Sequence, residues 1–207
     1  MNILITGGTG FIGSYLVPTL TQAGHQVTIL SRSQRKSEDR LLTYLQWTGK
    51  EMPQGIGMYD AIINLAGASI GGDKWTDAQK KLIIDSRVDA TRACVNYINS
   101  SPNPPQVFIS ASGVGYYGSD VTTPVDESGA LGDDFPAKVV KIWEEEANKA
   151  ECRTVTPRIG VVLETDGGAL ERMLPLFKMY LGGRFADGKQ GFPWVHMQDI
   201  VKAFHFS

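Results

Sequence analysis

Gly7, Gly10 and Gly13 stand in a G-x-x-G-x-x-G array. The apolar run Ile3-Leu4-Ile5 precedes it, and an apolar-periodic run beginning at Phe11 follows. Glycine suits three demands at such a place. The turn must tolerate positive φ, and the main chain must be bare enough to touch a pyrophosphate. The helix must also start close to the strand, so that its free N–H groups and dipole face an anion. A glycine triplet alone is weak evidence, but a strand before it and a helix after it are the context this chemistry needs. The alternative is a tight turn that binds nothing.

The second strand ends Leu30-Ser31-Arg32-Ser33. A site for NAD places an acid there to hold the ribose 2′-hydroxyl, and no acid occurs before Glu38. Arg32 offers a guanidinium to a 2′-phosphate, with hydroxyls from Ser31 and Ser33 beside it. The expectation is NADP in preference to NAD, against the plainer reading of Arg32 as a solvated surface residue.

Hydroxyls and phenols cluster after a third apolar run. Val107-Phe108-Ile109-Ser110 leads into Ala111-Ser112-Gly113-Val114-Gly115-Tyr116-Tyr117-Gly118. Ser112 can orient a reacting oxygen, or can cap its own strand end. Tyr116 and Tyr117 can supply a phenol or simply pack. Arg158, Lys178 and Arg184 are separated basic residues that could grip a diphosphate, and surface solvation is the competing reading. His25 reads as a turn residue and His196 as a local hydrogen-bonding group. No His/Cys/Asp/Glu cluster has metal-ligand spacing, so no metal is expected.

The elements that must hold these residues alternate. Strands are expected at 2–6, 26–30, 45–47, 60–67, 107–110 and 194–196, with another over 152–162 interrupted by Pro157. Helices are expected at 11–23, 76–99, 135–150 and 170–181, the last kinked at Pro175, and from Asp199 onward. Thr76 reads as an N-cap with Gln79 as its box partner, and an acid caps the helix at 135. Gly71, Gly72 and Asp73 read as loop. This is an α/β pattern, a doubly wound parallel sheet.

The chain has 207 residues, 42% of them hydrophobic, enough for one well-cored domain and a small appendage. Its net charge of -2 and lack of a basic patch argue against nucleic acid. No run is long enough to span a membrane, and the first residues read as a strand rather than a leader. Cys94 and Cys152 form no motif and read as reduced packing residues, so a cytoplasmic protein is expected.

With these residues placed, the chain resembles the extended, epimerase-like side of the short-chain dehydrogenase/reductase superfamily. Thr6-Gly7-Gly8-Thr9-Gly10-Phe11-Ile12-Gly13 resembles its opening motif. Asn64-Leu65-Ala66-Gly67 resembles its fourth-strand motif, and Trp194-Val195-His196-Met197-Gln198-Asp199 its late motif. Trp75-Thr76, Ser86-Arg87-Val88, the Ser110–Gly118 segment and Gly132-Asp133-Asp134-Phe135 are similar to an atypical branch, the NAD(P)-dependent nucleotide-sugar epimerase-like proteins. The resemblance covers the whole chain. It implies a Rossmann domain over 1–160 and part of a substrate lobe over 161–207, completed by a further C-terminal portion. It implies cofactor contacts from Gly7, Thr9, Gly10, Phe11, Ile12, Gly13, Leu65, Ala66, Gly67, Arg87 and Ser110. It also implies a small polar or nucleotide-sugar substrate, which Arg158 and Arg184 could touch, and a homodimer is common among such proteins.

The superfamily's chemistry uses a tyrosine acid/base and a lysine one helical turn later, on one helix face. No Tyr-x-x-x-Lys occurs in this chain. The catalytic candidates are therefore Ser112, Tyr116, Tyr117 and Lys141, the last only if its helix turns it toward the ribose. Asp85, Arg87 and Asp89 share the central helix, and Arg87 falls closest to the position where the superfamily has an asparagine. Two functions follow as expectations. One is an NADP(H)-dependent oxidoreductase or epimerase acting by hydride transfer. The other is an NADP(H)-binding sensor with little or no turnover.

Overall fold

The computed structural model describes residues 1–71, 74–184 and 187–207. Gly72 and Asp73, expected as loop, lie outside the described residues. Six strands form one parallel sheet in the order β3-β2-β1-β4-β5-β7. They are β1 (Asn2–Thr6), β2 (Gln26–Ser31), β3 (Leu42–Gln46), β4 (Ala61–Asn64), β5 (Val107–Ser110) and β7 (Arg153–Val155). The order reverses between β1 and β4, which makes the crevice beyond their carboxyl ends the switch point where ligands bind in such sheets.

Helices cover both faces, as a parallel sheet requires. They are α1 (Phe11–Gln22), α2 (Asp77–Ser100), α3 (Phe135–Ala147), α4 (Gly168–Lys178) and α5 (Met197–Phe206). Alternate strand residues serve alternate faces. Ile3, Ile5, Val27, Ile29 and Ile63 pack with Leu16, Val17 and Leu20 of α1 and with Ile200, Val201 and Phe204 of α5. Leu4, Leu30, Ile62 and Phe108 pack with Ala90, Cys94 and Ile98 of α2 and Ala147 of α3. Burial pushes the Cys94 thiol up to about 12, so it is an inert packing group. Among the described residues no helix is long and apolar enough to cross a membrane.

The caps behave as their residue types dictate. Thr76 Oγ1 accepts from the Gln79 N–H at 3.2 Å, and Asp134 Oδ1 accepts from the Ala137 N–H at 2.9 Å. His196 caps α5 by accepting from the Gln198 N–H, so that helix starts two residues before the expected Asp199.

Other boundaries differ from expectation for local reasons. β3 is longer toward its start because its pairing with β2 begins at Leu42. β4 leaves the ladder after Asn64, although the Leu65 N–H still reaches the Thr6 carbonyl. The stretch 152–162 divides into β7, β8 (Arg158–Ile159) and β9 (Val161–Glu164). Pro157 has no N–H for the ladder. Gly160 then lets the chain pass the Pro193 carbonyl, which a Cβ would meet at 2.4 Å. β9 pairs in parallel with β10 (Trp194–His196), and β8 with β6 (Ser112–Gly113).

A buried polar network joins the carboxyl ends of the central strands. The Asn64 side-chain amide donates to Thr91 Oγ1 at 2.9 Å and Ser110 Oγ at 3.1 Å, and its carbonyl accepts from Thr6 Oγ1 at 2.6 Å. The Trp143 indole N–H donates to Thr91 Oγ1 at 3.0 Å. Thr6, Asn64, Thr91 and Ser110 are all buried. Asn64→Leu would strand several of these groups at once. We expect it to lower unfolding free energy by about 1–3 kcal/mol, measured by denaturant titration.

Candidate active site at the sheet's carboxyl edge

The glycine turn is shaped by what a side chain would strike. Gly7 has φ +69, and a Cβ there would lie 2.6 Å from the Leu65 carbonyl carbon. A Cβ on Gly13 would lie 2.5 Å from the Gly8 carbonyl oxygen. The turn closes with the Gly10 N–H donating to the Gly7 carbonyl at 2.9 Å. Gly10 then caps α1 without a side chain, and the helix has no acid in its first turn. The N–H groups of Phe11, Ile12 and Gly13 therefore have no acceptor among the described residues. Thr9 and Gly10 are exposed, and Phe11 and Ile12 are half-buried. The Phe11 ring packs under Gly167 and Gly168 at the start of α4.

Beyond β2, Arg32 and Ser33 are exposed. Ser31 is buried, with its carbonyl accepting from the Trp47 N–H at 2.8 Å, so only its two successors can reach a ligand freely. Leu65 and Ala66 are half-buried beside the glycine turn, and Gly67 is exposed. Ser110 is buried, and its hydroxyl accepts from the Asn64 side-chain amide.

Ser112 sits one step further out. Its N–H donates to the Pro157 carbonyl at 2.9 Å, and its hydroxyl donates to Glu144 Oε1 of α3. Arg158 grips the same carboxylate with two bonds, Nε to Oε1 and Nη2 to Oε2, each 2.9 Å. The guanidinium carbon lies 3.4 Å from the centre of the Tyr116 ring and 5.1 Å from that of Tyr117. Nη1 donates to the Tyr117 phenol oxygen at 3.0 Å and to the Glu127 carbonyl at 3.1 Å. The bond to Glu144, above all, holds the Arg158 pKa above its ordinary range. Arg158 is thus engaged within this cluster by four hydrogen bonds. A 510 Å³ cavity opens beside it, lined by Val114, Tyr117, Val125, Glu127 and Pro157 among others.

Since the Ser112 proton is directed to an ionic carboxylate, the hydroxyl offers its remaining lone pairs outward as an acceptor. Glu144 escapes a sequence reading because it lies in a Trp-Glu-Glu-Glu run that looks solvated. Its one signal is its spacing from Pro136 and Val140, one helical turn apart each. Those three residues form the face of α3 that meets the Ser112 segment. A Cβ on Gly115 would lie 3.1 Å from Pro136 Cβ, and Val140 Cγ2 is 3.9 Å from the same point. Lys141 lies about 100° further round. It is exposed and 3.8 Å from Glu145 on its own helix.

Of Asp85, Arg87 and Asp89 on α2, Arg87 is the inward one. Its Nη1 donates to the carbonyls of Ala68 at 2.9 Å and Ile83 at 3.0 Å, and its guanidinium lies 5.0 Å from the centre of the Trp143 ring. Asp85 instead pairs with Lys81 at the surface. Arg184 is exposed in the segment after α4, away from any of these groups' hydrogen bonds.

A sequence model of the NAD dependent epimerase/dehydratase family matches residues 3–207. The chain is 39% identical over 213 residues to the epimerase family protein YfhF of Bacillus subtilis, covering 100% of this chain and 70% of that protein. The crystal structure of the human epimerase family protein SDR39U1 with NADPH superposes with a TM-score of 0.86 at 34% identity, over 99% of this chain and 69% of that one. A nucleoside-diphosphate sugar epimerase from Corynebacterium glutamicum superposes with a TM-score of 0.80 at 30% identity, over 99% and 43%.

The Glu144–Arg158 pair is shielded on both sides, with 11% and 18% of the side chains exposed. Removing one partner leaves the other charged and buried. Glu144→Ala should cost about 3–5 kcal/mol of stability, whereas Ser112→Ala should cost about 1 kcal/mol; denaturant unfolding of both variants measures the contrast.

Proposed function

This chain belongs to the NAD-dependent epimerase/dehydratase family, and from that premise we propose that it binds NADP(H) and transfers hydride to or from a small polar or nucleotide-sugar substrate. One observation carries the cofactor half of this reading. The uncapped start of α1 lies behind a turn in which neither Gly7 nor Gly13 has room for a Cβ. Such a turn leaves donors and a positive helix end open to a pyrophosphate and closed to nothing else of its own chain. The NADPH-bound human relative supports the same cofactor. Arg32 and Ser33, exposed at the end of β2, would take the 2′-phosphate.

When bound, the nicotinamide supplies or accepts the hydride. The protein's own share lies in Ser112, Glu144 and Arg158. Arg158 keeps the carboxylate in place, and the carboxylate holds the serine proton. Ser112 then receives a hydrogen bond from a substrate hydroxyl and fixes that oxygen near the cleft. Tyr116 supplies a flat face beneath the guanidinium, and Tyr117 anchors the guanidinium's outer edge. The division at residue 160 enters this reading in a narrower form. α4 and the β9–β10 pair face the substrate side, while α5 shares its core with α1.

The absence of a Tyr-x-x-x-Lys pair favours a second reading, an NADP(H)-dependent sensor with little or no turnover.

Fluorescence titration tests the cofactor assignment directly. NADPH should bind more tightly than NADH. Arg32→Ala should weaken NADPH about tenfold, the worth of one charge-assisted contact, and leave NADH unchanged. Equal affinities untouched by the substitution would remove the preference. A panel of nucleotide sugars and carbonyl compounds, assayed with wild type and Ser112→Ala, separates the two readings. Turnover lost in the variant supports hydride transfer through this site, and its absence throughout supports the sensor.

A further inference from the structure

We infer that the cavity beside Arg158 receives the non-reacting part of the substrate, and that its walls select a neutral, partly apolar hydroxy or carbonyl compound over a nucleotide sugar. This rests on the hydride transfer proposed at Ser112 and narrows its substrate class.

The cavity measures 510 Å³, a size that encloses a small molecule. Val114, Val125, Val155 and Pro157 give it apolar walls. It adjoins the serine through two of its walls. The Pro157 carbonyl accepts from the Ser112 N–H, and Arg158 shares the Glu144 carboxylate with the Ser112 hydroxyl. Ser112 also stands directly opposite Arg158 where β6 pairs with β8. A substrate can therefore leave its reacting oxygen at Ser112 and extend its remainder past Arg158 into the cavity.

The charge of the walls disfavours a diphosphate. Arg158 is the one base among the described walls, and two acids, Asp126 and Glu127, stand against it. A guanidinium has five N–H donors. Four of those on Arg158 are used, two by Glu144, one by the Tyr117 phenol and one by the Glu127 carbonyl. Its charge is answered by Glu144. Asp126 and Glu127 are exposed, so they rim the cavity and do not line its depth. The Ser128 hydroxyl and N–H donate to Asp126 Oδ1 at 2.6 and 2.9 Å, and these bonds hold its carboxyl below the usual range. A diphosphate entering here would pass two carboxylates and find a base already paired, and an anion withdrawn from water without an answering charge is costly. An alkyl or ring portion meets no such cost and gains by displacing water from valine and proline. The half-buried Thr156 hydroxyl has no hydrogen bond among the described residues and is open to a polar group on that portion.

Calorimetric titration with two probes, 1-phenyl-1,2-ethanediol and UDP-glucose, each with and without NADP, tests this selection. The diol should bind wild type at least about tenfold more tightly than UDP-glucose. Val114→Phe fills the cavity and should weaken the diol about tenfold, with NADPH affinity by fluorescence unchanged. Val125→Asp lies on the exposed rim, makes little demand on folding, and should weaken the diol about fivefold by replacing an apolar contact with a third acid. Glu127→Lys should strengthen UDP-glucose. UDP-glucose binding as tightly as the diol in wild type would overturn the inference. So would diol binding that is absent, or that Val125→Asp leaves unmoved. A diol that binds and responds to these substitutions in a chain that takes no NADPH would overturn the cofactor reading alone.

Discussion

The carboxyl ends of β1 and β4 come together because residue 7 has no side chain. The backbone of Leu65 and Ala66 occupies the space a Cβ would need, at 2.6–2.8 Å. A residue with a Cβ would push the two chains apart, in a conformation with φ +69 that such residues rarely adopt. The same approach lets Asn64 bridge Thr6 and Ser110, and so sets the height of three strand ends. The start of α1, the segment at Gly67 and the Ser112 segment are all hung from those ends. The glycine thus serves position as much as binding.

Much of this was legible in the sequence, because the signals are local. Alternating apolar strands and periodic helices predicted the parallel sheet. Thr76 and Asp134 predicted two helix starts, each from a side chain that accepts a hydrogen bond three residues on. The glycine turn was legible for the same reason. What escaped the sequence depends on contacts between distant segments. Glu144 meets Ser112 across 32 residues and Arg158 across 14, and nothing in Trp-Glu-Glu-Glu distinguishes the inward acid from its neighbours. Ser110 and Ser112 look alike in Ile-Ser-Ala-Ser, yet one is absorbed by the Asn64 network and the other reaches Glu144. Strand alternation places both on one face and cannot say which partner each will find.

The absence of a Tyr-x-x-x-Lys pair from this chain bears on more than a proton donor. A phenol beside an ammonium is a pair whose proton can leave. The Glu144–Arg158 pair is closed on itself through two matched hydrogen bonds, and such a pair favours a fixed geometry over exchange. Its effect on Ser112 is directional. The serine has a single proton, and that proton goes inward. A serine that donates would select a carbonyl oxygen, whereas one that accepts selects a hydroxyl. In the proposed reaction, that direction would be set by a residue that need not touch the ligand.

Several unmet donors gather at the carboxyl edge of the sheet, among the described residues. Three N–H groups at the start of α1 lack acceptors, Arg87 lacks an anion, and a glycine is held at positive φ. Elsewhere polar groups are matched, as at Asn64, Thr91 and Glu146. Unmet donors at one sheet edge, all of one sign, are mutually unfavourable until a negative ligand lies among them. The sheet can sustain them because both its apolar faces are filled, by α1 and α5 on one side and by α2 on the other, with α3 contributing Trp143 to the first and Ala147 to the second. A ligand that satisfied these donors together would therefore stabilise the fold through the same contacts that recognise it.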